Sequence, residues 1–196
     1  LIDGAPQLIG DYSASETLHT ADGELRDFRF DSHEERAVDD AIGSGRRHVL
    51  AGHSGSVDKT LELTFYDDFP RWAIVRVRYT NRGSHPLQLR GWTNGAYAIA
   101  AGKAPGELWS YQSASYENRP DWVLRVPVGF QRGNFQGMNA ADYGGGTPIV
   151  DLWRRDAGIA VGQVELLPKL VSLPVARPTA AAASLAVHFA LRQSLQ

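Results

Sequence analysis

Polar and apolar residues alternate along much of the chain with the two-residue period of a β-strand. Lys59–Tyr66 reads KTLELTFY and Trp72–Thr80 reads WAIVRVRYT. In the second run the arginines fall on one predicted face, while the valines and the last tyrosine fall on the other. No helical period of 10–15 residues separates such runs, so the pattern predicts an all-β protein with antiparallel strands and few or no helices.

Turn sequences divide these runs. Ala21–Glu24, ADGE, predicts a hairpin, and Arg155–Gly158 predicts another between Thr147–Trp153 and Ile159–Leu167. The charged stretch Ser32–Ile42 lacks a clear alternation, and we expect a loop or one helical turn there.

The end of the chain also follows the strand pattern. Lys169–Val175 predicts one strand, and the alternation from Leu185 to Arg192 predicts a last strand despite its alanines. The chain begins at Leu1 and stops shortly after this strand. We therefore expect a piece excised from a longer protein.

Composition narrows the possible functions. The 196 residues fit a single domain, 1–196, and the net charge of −2 argues against a nucleic-acid partner. Without cysteine there is no disulfide or thiolate site, and the six histidines show no metal-ligand spacing. No apolar run approaches the ~20 residues of a membrane span. We predict no metal, no cofactor and no membrane partner.

Familiar catalytic motifs are incomplete. Gly52–Ser56, GHSGS, approaches the hydrolase elbow but has Ser in place of its last Gly and leads into a predicted strand instead of a helix. Gly43–His48 and Gly144–Thr147 lack the lysine of a phosphate-binding loop. A glycosidase needs two facing carboxylates, and the sequence selects no pair from the candidates. These candidates are Asp121, Asp142, Asp151, Asp156 and Glu165.

Aromatic residues concentrate between positions 109 and 153. Core packing explains many of them, because aromatic side chains carry much of the packing area. Beside arginine and carboxylate they also suit a sugar, since a ring packs on the apolar side of a pyranose and charged groups bond its hydroxyls. The eight aromatic residues are Trp109, Tyr111, Tyr116, Trp122, Phe130, Phe135, Tyr143 and Trp153.

Three segments resemble the N-terminal domain of melibiase-type α-galactosidases, retaining glycoside hydrolases of family 36 in clan D. They are WSYQSASYENRPDWVLRVPVGF, YDDFPRWAIVRVRYTNRGSHPLQLRGW and, most specifically, MNAADYGGG with VDLWRRDAGIAVG. The resemblance covers about residues 61–175. It implies a β-supersandwich of the galactose mutarotase-like type, followed in the parent protein by a catalytic (β/α)-barrel.

In that family the catalytic aspartates lie in the barrel, so the resemblance implies no catalytic residue within 1–196 and an inactive fragment. It implies a loop that helps to form the substrate pocket, with a galactoside or related oligosaccharide, the barrel of the same chain and possible copies of the protein as partners. Both export and a cytoplasmic location are compatible with it. The residues that carry this expected role are Asp142, Tyr143, Trp153, Arg154, Trp109, Tyr111, Arg119, Asp121 and Trp122.

Two other functions stay open on the sequence. The aromatic cluster would also suit a stand-alone carbohydrate-binding module. A mutarotase-like enzyme would need a facing His–Glu pair, for which His188 and Glu165 are the available residues.

Overall fold

A computed structural model describes residue 10 and residues 13–101, 107–112, 122–136, 149–155, 157–164 and 171–190. Within these ranges the protein is all β and contains no helix. The strands are β1 (Thr17–Thr20), β2 (Gly23–Leu25), β3 (Arg29–Asp39), β4 (Ser44–Ser54), β5 (Val57–Tyr66), β6 (Ala73–Asn81), β7 (Leu89–Ala100), β8 (Trp109–Tyr111), β9 (Val123–Arg125), β10 (Phe130–Arg132), β11 (Phe135–Gln136), β12 (Ile149–Trp153), β13 (Gly158–Gly162), β14 (Val171–Ser172), β15 (Val175–Arg177) and β16 (Ala182–Ala190).

The chain divides into two compact units. The first comprises Leu1–His19 and Arg90–Gln196, and the second comprises Thr20–Leu89. The expectation of one domain spanning 1–196, with a barrel beyond it, stays a prediction.

Two antiparallel sheets form the first unit. The first sheet has the order β10–β15–β16–β7–β1, and β14 joins it by pairing with β16 and β11. The second sheet has the order β13–β12–β8–β9. Apolar side chains from both sheets meet in one core, which confirms the predicted all-β antiparallel sandwich. This core contains Ile99, Ala101, Leu108, Val126, Val150, Leu152, Val171, Leu173, Val175, Ala183, Leu185 and Val187.

The second unit contains a meander sheet in the order β3–β4–β5–β6. Strands β5 and β6 occupy the two runs with the clearest alternation. Their register places Arg76 opposite Glu62 and Val75 opposite Leu63, so the predicted assignment of arginines and valines to opposite faces is confirmed.

The expectation for Ser32–Ile42 was wrong. Most of this stretch belongs to β3, which pairs with β4 from Ser32 opposite Ala51 to Asp39 opposite Ser44. As the end strand of its sheet, β3 is exposed along nearly its whole length, so neither face needs the apolar residues that would reveal a strand. Charged side chains are a common means of protecting such an end strand from pairing with other chains.

The hairpins follow the prediction, and one later strand does not. Strands β12 and β13 pair from Ile149 opposite Gly162 to Trp153 opposite Gly158. The single strand expected over Lys169–Val175 is instead two short strands, β14 and β15, on either side of Leu173 and Pro174. Proline cannot donate a hydrogen bond to a strand ladder, which accounts for the interruption.

Candidate functional site

The two faces of the second sheet differ in character. On the inner face Leu108, Ser110 and Leu152 are buried in the core of the sandwich. Because successive residues of a strand point to opposite faces, their neighbours lie on the other side of the sheet. We call this side the outer face, and define it by Trp109, Tyr111, Arg125, Asp151 and Trp153.

Trp109 and Trp153 form the centre of the outer face. They are direct cross-strand partners between β8 and β12. Their ring centroids lie 6.1 Å apart with an angle of 22° between the planes, so the indoles are stacked. Both side chains are only partly buried. The pair therefore leaves part of its indole surface accessible, and exposed aromatic surface of this kind packs against the apolar side of a sugar ring.

A carboxylate lies beside this aromatic pair. Asp151 is two residues before Trp153 in β12, and its Oδ1 accepts a hydrogen bond of 2.6 Å from the backbone N–H of Tyr111. Burial raises the pKa of Asp151, and the hydrogen bond from Tyr111 partly opposes that rise. The bond orients the carboxyl group, whose remaining lone pairs suit the hydroxyl groups of a ligand.

A guanidinium lies beside Trp109. Arg125 is the cross-strand partner of Trp109 in β9, and its side chain forms an ion pair with Glu107. Both charged side chains are largely exposed. On the same face Val123, opposite Tyr111, is 46% exposed. The outer face thus combines stacked indoles, a phenol ring, an oriented carboxyl group and a guanidinium.

Buried hydrogen bonds on the inner face hold β8 against β12. The Ser110 hydroxyl donates to the backbone carbonyl of Asp151 and accepts a bond from the Gln112 side-chain amide. Ser110 and Gln112 are both buried. Because buried polar groups are costly to leave unpaired, this network fixes the strands that carry Trp109 and Trp153.

The structure brings three of the residues predicted from the sequence together on one face: Trp109, Tyr111 and Trp153. Arg154 follows β12 directly, but its side chain is only 5% exposed. Trp122 lies just before β9, where its carbonyl accepts a 2.6 Å hydrogen bond from the N–H of Gln112, a residue of the inner face.

Four predicted residues lie outside the described residues: Arg119, Asp121, Asp142 and Tyr143. The end of β8 at Tyr111 and the start of β12 at Ile149 lie at the same end of the second sheet, because the two strands are antiparallel with Trp109 opposite Trp153.

Sequence reasoning missed two members of the outer face. On the sequence alone Asp151 is only one of several candidate carboxylates, and nothing selects Arg125. The alternation of β12 could have placed Asp151 beside Trp153, because residues two apart share a face. No sequence signal connects Arg125 with Trp109, since their pairing depends on how β8 and β9 meet.

Ser54 and His188 are the residues that the sequence offers for other kinds of catalysis, and neither is shown in the arrangement that such catalysis needs. Ser54 ends β4 and is followed by a tight turn with Gly55 at φ 56° and then by β5, so the strand–turn–helix of a hydrolase elbow is absent there. His188 contacts Thr93, whose hydroxyl also bonds His19, and the proposed partner Glu165 lies outside the described residues.

The described ranges hold no group of three or more histidine, aspartate or glutamate residues arranged to bind a metal ion. None of the residues described forms a helix long and apolar enough to cross a membrane.

Comparison with solved structures relates the fold to part of a larger enzyme. The chain is similar to the crystal structure of the α-galactosidase from Lactobacillus brevis, with a TM-score of 0.55 and 12% sequence identity. The similarity covers 91% of this chain and 26% of that chain, so the protein spans about a quarter of the enzyme's length. At this identity the comparison shows the fold alone. No protein-family model matches the chain, and a search of curated proteins gives no match.

Proposed function

We propose that the chain is a non-catalytic N-terminal domain of an α-galactosidase-like retaining glycoside hydrolase, and that its outer face contributes to sugar binding. The observation that carries this proposal is the stacked Trp109–Trp153 pair with Asp151 at its side. The similarity in fold to a quarter of an α-galactosidase supports the assignment to such an enzyme.

The chemistry of the outer face fits a galactoside or a related oligosaccharide. A pyranose has one face rich in C–H groups, which the stacked indoles would cover. Its hydroxyls would bond the Asp151 carboxyl group and the Arg125 guanidinium. Asp151 lies two residues before Trp153 in β12, and Arg125 is the cross-strand neighbour of Trp109. In this proposal the catalytic acids belong to a barrel later in the parent chain, and the domain shapes the substrate pocket and contacts the barrel or further copies.

The first experiment measures activity in the proposed full-length enzyme. We expect Trp153→Ala to lower kcat/KM for an α-galactoside about tenfold, which corresponds to about 1.4 kcal/mol of lost transition-state binding. Trp72→Ala is the matched control, because Trp72 is a partly exposed tryptophan of the second unit, 43% exposed. It should leave kcat/KM unchanged. Equal activity of the Trp153 variant and the parent would overturn the role of the outer face.

A stand-alone carbohydrate-binding module is the second candidate, and the same stacked pair supports it. Calorimetry of residues 1–196 with galactose, melibiose and raffinose separates the two functions. Submillimolar binding by this chain alone would support the module and contradict the accessory domain. Hydrolysis of an α-galactoside by the chain alone would contradict both.

A further inference from the structure

The second unit contains a pocket that the proposed function does not use. A cavity of about 260 Å³ lies at one end of the meander sheet, beside the turn between β3 and β4. Ile42 and Ile74 form apolar walls, and Tyr66 and Thr64 contribute hydroxyl groups. Tyr66 and Thr64 are buried, with 3% and 4% of their surfaces exposed, so these hydroxyls are fixed parts of the pocket.

Asp40 is the carboxylate among the described residues that line the pocket, and it is engaged within the protein. Asp40 accepts a 2.9 Å hydrogen bond at Oδ1 from the Ile42 N–H and another of 2.9 Å at Oδ2 from the Tyr66 hydroxyl. The Ile42 bond, with the Tyr66 bond and the positive charge of Arg47, lowers the pKa of Asp40. Asp40 is therefore ionised at neutral pH, and both its oxygens orient groups of the pocket itself.

Two guanidinium groups line the same cavity. Arg47 is held by a 3.0 Å bond from its Nε to the Thr64 hydroxyl, which leaves the two terminal nitrogens of the guanidinium for other partners. Arg76 is exposed and forms no ion pair within the part of the chain that the structure describes. Its cross-strand partner Glu62 does not line the cavity.

The charges leave the pocket positive. Two guanidiniums face one ionised carboxylate, so the lining carries a net charge of about +1 by the ordinary protonation states of these groups. A planar guanidinium forms two parallel hydrogen bonds with a carboxylate, and this pairing is stronger and more specific than a bond between neutral groups. A monoanion would neutralise the pocket, and the two isoleucines would cover the carbon atoms attached to it.

We propose that this pocket binds the carboxylate of a small organic acid about the size of a sugar acid, with Arg47 and Arg76 as its anion-binding residues. The ligand's carbon skeleton lies against Ile42 and Ile74. This site is separate in function from the outer face of the second sheet.

Calorimetric titration of residues 1–196 with galacturonate at low ionic strength tests the proposal. We expect saturable binding with a Kd on the order of 1 mM or tighter. Arg76→Gln should weaken binding at least tenfold and leave the melting temperature unchanged, because Arg76 is exposed and forms no ion pair among the described residues.

Arg78→Gln is the matched control. Arg78 is also an exposed arginine of β6 on the same face, two residues further along, but it does not line the cavity. This variant should change the Kd less than twofold. Equal losses of galacturonate affinity in the two variants would mean that the acid is attracted by surface charge in general and not by the pocket. That result would overturn the proposal.

Further titrations distinguish the ligand and the site. Inorganic phosphate that binds where galacturonate does not would overturn the carboxylate assignment, and so would the absence of saturable galacturonate binding. Galacturonate binding that is lost in Trp153→Ala and kept in Arg76→Gln would place the acid on the outer face and overturn the proposal. The galacturonate Kd tests the pocket, and α-galactoside activity tests the proposed function. Either proposal can therefore be contradicted while the other holds.

Discussion

Gly158 lies directly opposite Trp153 in the β12–β13 hairpin, and a Cβ atom at position 158 would come within 2.7 Å of the Cβ atom of Trp153. Real Cβ atoms do not approach so closely, and the neighbouring atom belongs to the stiff base of the side chain. Gly158 therefore leaves the space in which Trp153 packs against Trp109.

We expect Gly158→Ala to displace Trp153 and disrupt the stacked pair. Overpacking of this kind costs about 1–3 kcal/mol of unfolding free energy. Near-ultraviolet circular dichroism should show a reduced tryptophan signal, because two of the five tryptophans form the stacked pair, and urea unfolding should show the lower stability. Gly133→Ala is the control, because a Cβ atom there meets nothing within 4 Å. A Gly158 variant with unchanged dichroism would contradict the packing argument.

Ser110→Ala removes the hydroxyl that links β8 to β12. The Gln112 amide and the Asp151 carbonyl would each lose a partner in a buried place, at a cost of about 1–3 kcal/mol. Chemical denaturation measures this loss. Ser184, an exposed serine of β16, supplies the control, and its alanine variant should stay within about 0.5 kcal/mol of the parent. Similar values for the two variants would show that the Ser110 network adds no stability.

Asp151→Asn tests the electrostatics of the outer face. Burial raises the folded-state pKa of Asp151 above its unfolded value, so the folded state binds the proton more readily. The stability that this preference contributes is present below the unfolded pKa of about 3.9 and is lost as pH rises through the folded pKa. Asparagine keeps an acceptor for the Tyr111 N–H but cannot ionise.

We therefore expect Asp151→Asn to be more stable than the parent at pH 7, with this advantage disappearing at pH 3. Thermal unfolding at the two pH values measures it. An advantage that does not change with pH would contradict the assigned pKa shift. In the proposed full-length enzyme the same variant tests function separately, because loss of activity at pH 7 without loss of stability would support a role of the carboxylate in sugar binding.

His188→Gln should change how stability responds to mild acid. Burial lowers the pKa of His188, and positive charge on His19 lowers it further. A histidine with a lowered folded-state pKa contributes stability that is present above its unfolded value of about 6.5 and is lost as pH falls. Glutamine cannot take up the proton.

The loss of unfolding free energy between pH 7 and pH 5 should therefore be smaller in the His188 variant than in the parent. Urea titrations at the two pH values give this difference. His85→Gln makes the same substitution at an exposed position and is the control for the change of side chain. Parallel pH profiles for His188→Gln and the parent would contradict the prediction.

The strands could be predicted where one side of a sheet is more apolar than the other. The alternation in β5, β6 and β12 is a direct consequence of that difference, because neighbouring residues of a strand face opposite sides. Prediction failed for β3, where both faces are exposed and backbone pairing with β4 alone makes the strand. The sequence pattern also predicts one strand where the structure has two, β14 and β15, because the apolar run continues through Pro174.

The candidate site could be predicted only in part. Aromatic content drew attention to Trp109, Tyr111 and Trp153, but composition treats core and surface rings alike. The structure distinguishes core rings from surface rings by their burial. It also places Asp151 and Arg125 in the candidate site, because cross-strand neighbours need not be close in sequence.

By itself the sequence determined the local order of the chain: extended segments with a period of two, turns between them, and no cysteine or metal-ligand motif. Only the tertiary structure decided that Trp153 stacks on Trp109, 44 positions earlier in the chain, and that Arg47 and Arg76 line one cavity. The physical reason is that local alternation determines which face of the sheet a side chain occupies. Strand order and register determine which residues are its neighbours on that face.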